Sequence, residues 1–173
     1  MATPITHDQV LDAIVAELAA LDPKGLIISQ PILGIEDGDS PDLYRSDKDE
    51  KRVHAWVVYQ TKALVKRVGD VDYTLAGSVR IRRADRTWAF LMKLYYQMQT
   101  GSAASNSQRQ LMTIINTVQN GFFKKPKLGI QNENLRQHND VQFEAIRPIP
   151  AGDLKLHLAT GRLDVIVWES IAP

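Results

Sequence analysis

Two hydrophobic rhythms alternate along this chain. From Trp88 to Met98 every second residue is large and apolar: Trp88, Phe90, Met92, Leu94, Tyr96 and Met98. Strict alternation suits a half-buried strand, because successive side chains point to opposite faces of a sheet. Trp88, Leu91, Met92 and Tyr95 also fit a helical period, but the aromatic enrichment and the unbroken alternation favour a strand. Val53 to Lys66 alternates in the same way. Val53, Ala55, Val57, Tyr59, Thr61, Ala63 and Val65 share one face; His54, Trp56, Val58, Gln60, Lys62, Leu64 and Lys66 share the other. Tyr73 to Arg83 is the expected partner strand, with turns at Arg67–Asp70 and Ala84–Arg86. Three sequential strands with short links predict an antiparallel meander.

The second rhythm is helical. Thr6 and Gln9 have capping-box spacing, and Val10, Leu11, Ile14, Val15, Leu18 and Leu21 form one apolar stripe, so a helix is expected from Thr6 to Leu21. Asp8 and Asp12 lie early, where the helix dipole favours negative charge. A second helix is expected from Ser105 to Phe122. Ser105 and Gln108 would form its capping box, and Leu111, Met112, Ile114, Ile115, Val118 and Phe122 its buried stripe. Gly121 and Pro126 would end it. Leu26 to Leu33 suggests a short edge strand, and Val141 to Ile149 a strand brought to an edge by Pro148 and Pro150. Leu154 to Trp168 alternates again, with a turn or bulge at Thr160-Gly161. Helix, strands, helix, strands predicts an α+β fold: an antiparallel or mixed sheet with two main helices packed on one face. The expectation is a single domain over residues 1–173, with long polar loops at 34–52 and 124–140.

Composition narrows the classes. With 44% hydrophobic and 24% charged residues in 173, the chain can bury an ordinary core and is not globally disordered. The absence of cysteine removes disulfides, thiolate metal sites and a cysteine nucleophile. No apolar run approaches the roughly 18 residues of a membrane span, so no membrane association is expected. Met1-Ala2-Thr3-Pro4 lacks the basic and apolar regions of a signal peptide, which implies synthesis in the cytoplasm. The net charge of +1 hides an uneven distribution. Residues 1–50 hold 11 acidic and 3 basic side chains, whereas residues 51–93 hold 10 basic and 3 acidic ones. That contrast can be neutralised within one fold, or between copies of the chain.

Candidate chemistry is sparse. His7, His54, His138 and His157 form no H-E-x-x-H spacing, and nucleophile-elbow and phosphate-binding glycine motifs are missing. Asp37-Gly38-Asp39-Ser40-Pro41-Asp42 resembles a calcium loop only superficially, because the alternating oxygen ligands and the terminal Glu are not in place. Carboxylates concentrate between residues 36 and 50, where nothing apolar would desolvate them and raise a pKa for acid catalysis. The expectation is a protein that is not an enzyme, with no catalytic residue, metal or cofactor. Two basic clusters suit phosphate or subunit contacts: Arg80, Arg82, Arg83 and Arg86, and then Lys124, Lys125 and Lys127. Glu36, Asp37, Asp39, Asp42, Asp47 and Asp49 form a candidate acidic interface loop. A basic-patch nucleic-acid-binding module is the alternative reading, although the balanced overall charge argues against a dedicated one.

The order of elements resembles the phage tail-terminator family, represented by the lambda minor tail protein U. The likeness rests on a short N-terminal helix and a loop, a strand such as Ala55-Trp56-Val57-Val58-Tyr59, and a strand such as Thr87 to Leu94. A polar turn, a helix like Ser107 to Gln119 and a strand like Arg162 to Glu169 complete it. It covers most of the chain, which departs from the smaller family member in its longer 34–52 and 124–140 segments. The resemblance implies a structural virion protein of the tail or neck, made in the host cytoplasm. Such a protein forms a homo-oligomeric ring, typically a hexamer, that caps the tail tube and joins it to the head–tail connector protein during viral assembly. Tail tube protein, connector and non-specific DNA in the lumen are the partners it implies; another neck or head-joining component is the near alternative. A ring needs a heterologous interface, where one patch meets a different patch on the neighbour.

Overall fold

The computed structural model describes residues 4–22, 28–29, 45–46, 49–66, 73–75, 79–97, 104–132, 134–151 and 154–171. Its first element is α1 (His7–Leu21). Thr6 caps it as read from the sequence: the Gln9 N–H donates to Thr6 Oγ1 at 3.2 Å, and the Thr6 N–H donates to Gln9 Oε1 at 3.0 Å. Val10, Ile14 and Leu18 are fully buried on its inner face.

Three long strands dominate the rest: β3 (Asp49–Lys66), β5 (Val79–Gln97) and β9 (Leu154–Ile171). Between them come β1 (Ile28–Ser29), β2 (Arg45–Ser46), β4 (Tyr73–Leu75), α2 (Ala104–Lys124), β6 (Leu135–His138), β7 (Gln142–Phe143) and β8 (Arg147–Ala151). The sheet runs β1-β3-β5-β9-β6, with β2, β4, β7 and β8 attached beside this path. Every pairing is antiparallel except the two-residue parallel contact of β1 with β3. Both helices lie on one face of the sheet, so the α+β expectation holds. Trp56, Val58, Trp88, Phe90, Met92, Leu94, Leu163, Val165 and Val167 turn inward to meet Ile14, Leu18, Leu111, Ile115, Val118 and Phe122 from the helices.

Several local expectations are corrected. The three-strand meander is a hairpin of two long strands: β3 pairs directly with β5, from His54 opposite Tyr96 to Lys66 opposite Asp85. Ala84-Asp85-Arg86 is no turn, because β5 runs straight through it, held between β3 and β9. Only Tyr73–Leu75 forms the expected separate strand in that region, folding back on Val79–Ile81. The alternation of β3 is interrupted at a bulge between Gln60 and Lys62. Of the expected 34–52 loop, Arg45–Ser46 is β2 and 49–52 belongs to β3, while residues 34–44 and 47–48 lie outside the described residues.

The 124–140 segment is not a loop either. It contains the end of α2, a turn and β6, which pairs with β9. Leu128 takes a left-handed φ of 52° in that turn, an uncommon conformation for a branched side chain, while its side chain is buried in the main core. The strand expected over Val141–Ile149 divides into β7 and β8. Thr160-Gly161 is continuous strand, paired with Lys93 and Met92. The glycine serves packing: a methyl group there would lie 2.9 Å from two atoms of the Phe143 ring. Gly121 does not stop α2 but sits inside it, where a methyl group would collide with the Leu21 side chain of α1. Ser105 likewise lies within the helix, not at its cap.

Candidate docking surfaces

The helices are tied down by a few polar contacts that cross long stretches of sequence. Glu17 is buried on α1, and its Oε2 accepts from Lys125 Nζ just beyond the end of α2. A carboxylate inside a core is tolerated when a cation completes it. Trp56 Nε1 donates to Asp22 Oδ2 at 2.8 Å, with both residues buried, which fixes the end of α1 to β3. His138 is buried between two carbonyls, its Nδ1 2.7 Å from Asn139 O and its Nε2 2.9 Å from Lys125 O. Tyr96 Oη donates to Gln110 Oε1 at 2.9 Å and joins β5 to α2. The two helices also touch directly: Leu21 of α1 packs against Gly121 of α2.

What that layer presents outward differs between the helices. The exposed positions of α1 include Asp8, Asp12, Ala16, Ala19 and Ala20. Those of α2 include Met112, Thr113, Asn116, Thr117, Asn120 and Phe123. Met112 is 42% exposed and Phe123 67%; among the described residues they are the two large apolar side chains left in water. Met112 therefore does not belong to the buried stripe in which the sequence placed it. It lies one residue off the Leu111–Ile115–Val118–Phe122 row, and one residue turns a helix by about 100°.

The opposite face of the sheet carries a second, smaller cluster: Val57, Tyr95, Leu156 and Leu158, with Tyr59 and Ile149 packed against it. Lys93 Nζ lies 5.3 Å from the centre of the Tyr59 ring. Arg162 Nε donates to Asp164 Oδ1 at 2.8 Å and Nη2 to Oδ2 at 3.1 Å. That forked hydrogen bond, helped by the aspartate charge, raises the Arg162 pKa further above its ordinary value. On the helix side of β9, burial lowers the pKa of His157.

The basic residues singled out in the sequence fall on two separate elements. Arg80, Arg82, Arg83 and Arg86 occupy one strand, β5, at positions opposite Thr74, Ile171, Ser170 and Val167. Arg86 is half-buried. Lys124, Lys125 and Lys127 are exposed at the end of α2 and in the turn after it, and Lys125 is committed to Glu17. In the candidate acidic loop, Asp49 is on β3, while Glu36, Asp37, Asp39, Asp42 and Asp47 lie outside the described residues, as does the Asp37–Asp42 segment. Sequence reading missed Glu17, Asp22 and His138 as interior groups. Glu17 carried one usable signal, because it follows Ile14 by three residues on the apolar face of α1.

Among the described residues no three His, Asp or Glu side chains converge to hold a metal ion, and no helix is long and apolar enough to cross a membrane. Comparison of the sequence with protein-family models and with curated proteins returned no match.

Proposed function

We propose that this chain is a structural virion protein of the phage tail-terminator type, a ring that caps the tail tube and joins it to the head connector. The observation that carries the reading is the order of elements on one sheet. An N-terminal helix, a long strand, a second long strand, a helix and a last long strand follow one another, with both helices on the same face. That is the order the family resemblance implies. Two further features support it. Three strands of 18, 19 and 18 residues give a platform far longer than the usual strand of about 5–6 residues. The two helices present outward surfaces of different character, as a heterologous contact requires.

Electron microscopy of the purified protein, alone and mixed with growing tail tubes, tests the reading. A closed annulus that arrests tube growth at one end is the expected result. A protein that remains a monomer by light scattering and leaves tube length unchanged overturns it.

A further inference from the structure

The helical layer holds the strongest clue to how copies would join. Gly121 marks the point where α1 touches α2. Helical periodicity places Met112 about 180° and Phe123 about 160° around the axis from Gly121, so both lie on the flank of α2 that faces away from α1. Asn116 lies between them, and every exposed residue from Met112 to Phe123 is uncharged. Arg109 stands before this stripe and Lys124 after it, and α2 contains no acidic residue. An outward helix flank depleted of charge, with a methionine and an aromatic exposed, has the composition of an interface core with a basic rim.

The same reasoning applied to α1 gives the complement. Leu21 is its contact with α2, and Asp12 lies about 180° and Ala19 about 160° from Leu21, with Asp8 on the same side. This outer flank carries acidic groups near the helix start and small side chains farther along. α1 contains no lysine or arginine. Its one buried acid, Glu17, is already neutralised by Lys125.

We infer that the Met112–Phe123 flank of α2 docks on the Asp8–Asp12–Ala19 flank of α1 in a second copy of this chain. The contact repeats between copies what the fold achieves within one: an acidic α1 beside a basic-ended α2. With the two docked helices antiparallel, Lys124 comes alongside Asp8 and Asp12 while Met112 meets the alanines. Two different flanks meet, so the contact is head-to-tail, and repetition gives a ring or an open filament. The inference rests on the oligomeric reading above but specifies its surface.

Two variants test it. Asp8→Asn with Asp12→Lys spoils the α1 flank; Arg109→Glu with Lys124→Glu spoils the α2 flank and leaves the Glu17–Lys125 pair intact. Circular dichroism confirms that each remains folded, and sedimentation reads the assembly state. Each variant alone is expected to be monomeric. An equal mixture is expected to regain assembly, because one native pair of flanks remains and the two sets of charge reversals complement each other. Phe123→Ser, at a position too exposed to matter for folding, should weaken association of the otherwise native chain by about ten- to a hundredfold.

Rings that form unchanged in all of these variants overturn this interface and leave the terminator reading standing. Assembly that follows the variants as expected without capping tubes keeps the interface and overturns the terminator reading. A native chain that is monomeric at every concentration overturns both.

Discussion

The two faces of the central sheet are made from the same three strands, yet they carry cores of very different size. Toward the helices, β3, β5 and β9 contribute Trp56, Val58, Trp88, Phe90, Met92, Leu94, Leu163, Val165 and Val167 to one continuous cluster. On the other side, Val57, Tyr95, Leu156 and Leu158 form a small cluster beside Lys93, Arg162 and Asp164. Alternation assigns each residue to a face, but it does not say how much cover that face receives. Cover comes from the helices, and both helices went to one side. The stability of the fold should therefore depend very unequally on neighbouring residues of one strand.

The sharpest way to break this comparison is a pair of truncations. Phe90→Ala removes a fully buried ring from the helix-side core and should cost about 3–5 kcal/mol of unfolding free energy. Leu158→Ala removes a side chain only 2% exposed, but from a cluster with few partners, and should cost about 2–3 kcal/mol, near the low end for such changes. Urea denaturation of both variants measures the difference. Equal losses would mean that the second cluster is as important as the first.

A smaller effect is expected at Gly161. It belongs to the helix-side set of β9, where the Phe143 ring lies over the strand and approaches Trp56 edge-on at 6.2 Å between ring centres. A methyl group at Gly161 must displace that ring, and overpacking of this kind costs about 1–3 kcal/mol. Gly161→Ala should therefore destabilise the native protein, yet have much less effect when Phe143 is already alanine. A double-mutant cycle reads the coupling directly. Additive losses would show that Phe143 is not what the glycine accommodates.

Much of this architecture was legible in the sequence, and the failures have physical causes. The cap of α1, the strand character of Val53–Lys66 and Trp88–Gln97 and both apolar helix stripes follow from local periodicity alone. Ala84 to Arg86 looked like a turn because it is short and polar, but all three residues pair with β9, and Asp85 and Arg86 with β3 as well, so the segment needs no apolar side chains to remain strand. Leu135–His138 was hidden for the same reason: Arg136 and Gln137 are exposed, and only its two ends are buried. Glu17 and Lys125 are separated by 108 positions, so no local rule could pair them. Met112 was misplaced because a methionine beside a stripe looks the same as one within it. The candidate interface was obscured by that error, since an exposed Met112 is half of its signal.

The finest distinction between the faces is carried by His157. It lies two residues before Ala159 on β9, so it shares the helix-side face, at a position opposite Tyr96 and Pro148. It is half-buried, and desolvation lowers its pKa from the ordinary 6.5. The folded chain therefore holds this proton less tightly than the unfolded chain does. Above the ordinary value the imidazole is neutral in both states and contributes nothing to pH dependence. As the pH falls through about 6.5, the unfolded chain takes up its proton first and stability declines. The decline ends once the pH passes the lowered value of the folded state, where both forms are charged. His157→Gln removes this linkage and leaves the other three histidines as they were. The native protein should lose stability relative to that variant as the pH falls through about 6.5, with the two curves parallel well above that value. Curves that stay parallel throughout would mean that water reaches His157 freely and that the helix-side cover ends before it.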